Sequence, residues 1–206
     1  GFENILTNKL IEVDGKIRLK TIFGTNINTL DSIDTIFSSS SLEINVEPFV
    51  RGPAVIHKNR VNKSLLIEGV NYLPSFGSLT NREKFVNDDE IIIGGSLAES
   101  LKLDSSEALV LVPLDGFIGD VKNLKYYKLT FRRAFNTGMD EYDRNLAYVN
   151  INTSQKLFNM NDKVSGYIIN SDAKTDDLLN YLNGNIKYPY FLETWRDRHQ
   201  IIFTWI

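Results

Sequence analysis

Asp140, Glu141 and Asp143 fall within four residues, and Arg144 follows them directly. Carboxylates this close could hold a hard cation. Their places, first, second and fourth, do not match the alternating ligands of a twelve-residue calcium loop. The residues read instead as a solvated loop in which Arg144, Arg132 or Arg133 pairs with the acids. Exposed pairs of that kind contribute at most about 1 kcal/mol. The histidines, His57 and His199, belong to no H-E-x-x-H motif, and no G-x-S-x-G nucleophile turn occurs. The run Ile91-Ile92-Ile93-Gly94-Gly95-Ser96 reads as a strand entering a helix, a place where free amides attract anions. It lacks G-x-G-x-x-G and G-K-[ST], so it reads as a tight turn where backbone packs on backbone. No catalytic residue, metal-ligand set or cofactor is expected.

Composition narrows the class. The chain has 206 residues, 42% hydrophobic and 24% charged, with a formal net charge of -3 and no cysteine. That length suits one domain or two small subdomains. The absence of cysteine excludes disulfides and thiolate metal sites. The charge gives no basic footprint, so nucleic acid is not an expected partner. No run reaches the roughly 18 apolar residues of a spanning helix.

The elements that position these residues follow from periodicity. Residues 2–12 carry apolar side chains at helical spacing. Ile17, Leu19 and Thr21 alternate with Lys16, Arg18 and Lys20, a half-buried strand. A helix after Thr29 carries Leu30, Ile33 and Phe37, and a strand over 42–50 holds Pro48, which suits an edge. Gly52-Pro53 reads as a boundary. Ala54–Ile56 and Ser64–Val70 read as a hairpin, followed by a long connection over 72–89 with a short helix near 81–86. Strands are expected at 107–113 and up to Phe135, with a turn at Gly138 and a further alternating strand over 146–151. A short helix over 153–158 follows. A strand over 164–169, a helix over 175–182 stopped by Gly184 and a last strand over 186–192 form a second β-α-β unit.

The stretch 113–128 reads as a hairpin. Asp115-Gly116 and Gly119-Asp120 are turn signals around Phe117-Ile118, which places two apolar residues at or near the tip. Such a tip either docks a partner or folds back on the neighbouring surface.

The segment F-N-T-G-M-D-E-Y-D-R-N-L-A-Y-V at 135–149 resembles one in Lol-type lipoprotein-releasing ABC permeases, the LolC/LolE family, with its MacB-like periplasmic core. Further matching pieces follow in family order: N-T-S-Q-K-L-F at 152–158, K-V-S-G-Y at 163–167, Y-P-Y at 188–190 and T-W-R-D at 194–197. The resemblance implies an α+β fold. Residues 1–50 and 151–206 would form a subdomain built from both chain ends, of the Porter-like type. Residues 51–150 would form an inserted, mostly β subdomain of the Sabre-like type, carrying the hairpin. It implies that Gly1-Phe2 and Trp205-Ile206 adjoin transmembrane helices, in an inner-membrane protein whose domain here is periplasmic. It implies a periplasmic lipoprotein carrier docking on Pro113, Leu114, Phe117, Ile118, Lys122 and Arg132, although no proline follows the hairpin here as one precedes it. Gly138, Met139, Glu141, Tyr142, Asp143 and Trp195 would fix the subdomain junction. The lipoprotein cargo, a partner permease and a separate ATPase subunit are the other implied partners. The domain itself would do no chemistry. A macrolide-exporter-type permease domain coupled to a tripartite efflux pump is the alternative; a cell-division-type relay and an enzyme rank below it.

Overall fold

A computed structural model describes residues 11, 15, 17–28, 33–74, 83–85, 87–114, 125–194 and 197. Apart from Ile11, which is helical, the expected helix over 2–12 lies outside the described residues, as do the cap at Thr29, the hairpin tip with Phe117, Ile118 and Lys122, and Trp195. The chain is α+β and divides into two compact units, residues 1–49 with 162–206, and residues 50–161.

In the first unit, β1 (Ile17–Thr21) leads to α1 (Ile33–Ser38) and then to the start of β2 (Ile44–Lys58). After the insert come β8 (Gly166–Ser171), α5 (Thr175–Asn185) and β9 (Tyr190–Thr194). The strand order is β2-β8-β1-β9, with every pair antiparallel. β1 is therefore parallel to β2 with β8 between them, and β8 is parallel to β9 with β1 between them. These are two interlocked split β-α-β units. Pro48 lies on β2, which is the edge of this sheet, where a missing amide is tolerated. Leu178 and Leu182, one turn apart on α5, are fully buried, and the Tyr181 hydroxyl donates to the Ile36 carbonyl of α1 at 2.7 Å. Helix α5 runs on to Asn185, so Gly184 sits inside its last turn rather than stopping it. The last strand starts at Tyr190, not Ile186, because residues 188–189 form a turn whose Tyr190 amide bonds the Lys187 carbonyl. β1 is not half-buried as its alternation predicts. Arg18 is buried too, its guanidinium 4.4 Å from the centre of the Phe49 ring.

The second unit is a closed ring of six strands. It contains the rest of β2, β3 (Val61–Val70), β4 (Glu90–Gly94), β5 (Ala108–Pro113), β6 (Tyr127–Phe135) and β7 (Leu146–Asn150). The order β3-β7-β4-β6-β5-β2 is closed by pairing of β2 with β3. Closure leaves no open strand edge in the ring. The β2–β3 turn is Asn59-Arg60, both at positive φ, the backbone of a two-residue hairpin that keeps the strand twist. Gly52 and Pro53 are therefore paired strand residues, and the boundary falls three residues earlier. Ile91, Ile92 and Ile93 are fully buried because β4 lies between β6 and β7. The strand expected to alternate over 146–151 ends at Asn150 and is buried at every residue, because it is covered on both faces.

Helices α2 (Gly95–Ser100), α3 (Asp140–Asn145) and α4 (Ile151–Leu157) pack on the ring. Asn150 caps α4 by accepting from the Asn152 amide at 2.9 Å and donates to the Phe85 carbonyl at 2.8 Å. Packing of α4 on β3 extends this unit to residue 161, past the expected limit at 150. The contact is close: a Cβ on Gly69 would stand 2.4 Å from the Ser154 Cβ. Residues 83–85 bond back to Asn71 and Leu73 in a bridge, so the helix expected near 81–86 is extended there.

Gly94 meets the backbone of α3, where an added Cβ would lie 2.3 Å from the Asp143 carbonyl oxygen. Gly94→Ala is expected to lower stability by about 1–3 kcal/mol through overpacking. Gly184→Ala places its Cβ in open space and is expected to raise stability by about 0.5–1 kcal/mol. Denaturant midpoints of the two variants check both signs.

Candidate functional site

The segment 136–145 is not a solvated loop. Gly138 takes a positive φ of 79° and the chain then enters α3, with Met139 as its N-cap residue. Asp143 turns inward and is buried. Its Oδ1 accepts from the Thr137 amide and hydroxyl, both at 2.8 Å, and its Oδ2 from the Gly138 amide at 3.3 Å. A carboxylate suits this place because it accepts several bonds at once. Arg144 pairs with Asp140 one turn back, at 2.8 Å, in the exposed pairing read from the sequence. Arg132 and Arg133 pair instead with Glu83, a partner about fifty residues away that no local pattern links to them. Glu141 and Tyr142 are half-buried on α3. Among the described residues, no group of three His, Asp or Glu side chains could hold a metal ion. The main packing of α3 is on α2, β3, β4 and β7, inside the second unit.

The β5–β6 pair carries the base of the hairpin, and its register exposes a surface the sequence could not show. Alternate residues of a strand share a face. On β2, Pro53 stands opposite Leu66, and its carbonyl accepts from the Leu114 amide at 3.0 Å. Val55 stands between Ser64 and Val112, and His57 between Asn62 and Val110. Val110 in turn faces Lys128 on β6, and Tyr126 lies one step past the Leu111–Tyr127 pair. The opposite face holds the buried Ala54, Ile56, Leu65, Ile67, Leu109, Leu111 and Leu129. The outer face thus groups Leu66, Pro53, Leu114, Val55, Val112 and Tyr126 across four strands. Leu66 is 40% exposed, Leu114 38% and Tyr126 66%. Leu66, Leu114 and Tyr126 are thus exposed apolar residues gathered on one face, with Val55 and Val112 half-buried between them.

The expected partner-binding residues are not all brought together. Leu114 is on this face, whereas Pro113, opposite Ala54, is on the other. Arg132 lies six residues along β6 from Tyr126, about 20 Å at strand rise. Its guanidinium is held by Glu83, with Glu90 at 3.8 Å. Leu66, Pro53, Val55, Val112 and Tyr126 were missed; only the cross-strand register makes them neighbours.

No family model matches the chain, and no curated protein matches it. Among solved structures, its fold is one seen in extracytoplasmic domains of ABC-type transporters. It is similar to the periplasmic region of MacB from Actinobacillus actinomycetemcomitans, with 13% identity, a TM-score of 0.54, and 97% of this chain and 98% of that one covered. It is also similar to the extracellular domain of the noncanonic ABC-type transporter YknZ from Gram-positive bacteria. There the identity is 13% and the TM-score 0.52, over 87% of this chain and 100% of that one. At these identities the shared property is the fold. No helix among the described residues is long and apolar enough to cross a membrane.

Two side chains are open to test. Asp143→Ala leaves the Thr137 and Gly138 amides without their acceptor. It is expected to cost about 1–3 kcal/mol, and an unchanged thermal midpoint would remove Asp143 from this role. Burial pushes the Glu83 carboxyl up, but hydrogen bonds and charge from Arg132 and Arg133 outweigh it and hold it below its ordinary value of 4.5. The stabilisation is therefore present above the unfolded value and lost as pH falls through the lower folded one. Glu83→Gln is expected to weaken the protein more at about pH 7 than at about pH 4, where protonation of the carboxyl begins to remove the pairing. Urea titrations at the two pH values read this.

Proposed function

We propose that the chain is the extracytoplasmic domain of an ABC-type permease of the lipoprotein-releasing kind, in the inner membrane with this domain in the periplasm. The observation that carries the reading is a fold likeness spanning nearly the whole of this chain and of the MacB periplasmic region, both units included. The ordered motifs at 135–149, 152–158, 163–167, 188–190 and 194–197 support the lipoprotein-releasing type. The domain does no chemistry. It offers a surface to a soluble lipoprotein carrier and relays conformational change. ATP hydrolysis belongs to a separate subunit, and the cargo is a lipoprotein.

The outer face at Leu66, Pro53, Leu114 and Tyr126 is the carrier's docking platform, continuous in sequence with Phe117 and Ile118. Its apolar centre desolvates on docking while Lys128, exposed at its border, stays at the polar rim. The likeness to the MacB region favours a second reading, an exporter-type domain that couples to a tripartite pump instead.

Calorimetry of this chain with the purified periplasmic lipoprotein carrier of the same organism tests the first reading. Measurable binding is expected. Leu114→Asp with Tyr126→Asp, and separately Phe117→Asp with Ile118→Asp, should each weaken it at least about tenfold, or ~1.4 kcal/mol. No binding by the wild type favours the exporter reading; binding insensitive to both pairs moves the docking surface elsewhere.

A further inference from the structure

We draw no further inference here: the strongest candidate, the exposed apolar surface patch of Ile22, Phe23 and Tyr188 in the turns that follow β1 and precede β9, carries nothing because nothing in the structure shows what covers it.

Discussion

The pairing of β2 with β3 is the constraint on which the second unit depends. Nine consecutive residue pairs, from Val50–Gly69 to Lys58–Val61, close the ring. Without them β2 and β3 would be open edges with unpaired amides and carbonyls, which invite association with other chains. Closure also fixes which side chains point in. Ala54, Ile56, Leu65 and Ile67 fill one face, so Pro53, Val55 and Leu66 must occupy the other. The exposed apolar face is thus a by-product of the same register that builds the core. The glycines that let helices approach the ring, Gly69 against α4 and Gly94 against α3, are needed because the strands cannot move aside.

Much of this was legible in the sequence where the signal is local. The apolar run at 91–93 marks a buried strand, Leu178 with Leu182 marks a buried helix face, and the polar stretch 58–63 marks a hairpin turn, although the strands run on to Lys58 and Val61 and leave only Asn59-Arg60 to turn. What failed depended on neighbours distant in sequence. Arg18 alternates like an exposed residue, and only the Phe49 ring beside it shows why it is buried. Asp143 looks like one more charge in an acidic run, but the turn at Gly138 aims the Thr137 amide at it. Glu83 is some fifty residues from its arginine partners. Short helices such as α3 are marginal by propensity and form here because packing holds them.

The candidate surface follows the same logic. Leu114 could be singled out because it borders a hairpin with apolar residues at its tip. Leu66, Pro53 and Val55 could not, since no local pattern distinguishes an exposed apolar residue on a ring from a buried one. Register supplies that distinction: a shift of one residue in β2 would bury Pro53 and expose Ala54.

The interleaving of the first unit bears on how the chain is made. Its β1 and the start of β2 are synthesised before the insert, and β8 and β9 after it, although β1 pairs with both of the late strands. The second unit, by contrast, is one unbroken stretch, residues 50–161. During synthesis the ring can therefore be complete while β1 still lacks both neighbours, which have yet to leave the ribosome. Domains generally fold as units as they emerge, so in this chain the middle precedes the ends. An early stop after residue 161 would yield a finished ring attached to half a sheet, with β1 unpaired on both sides.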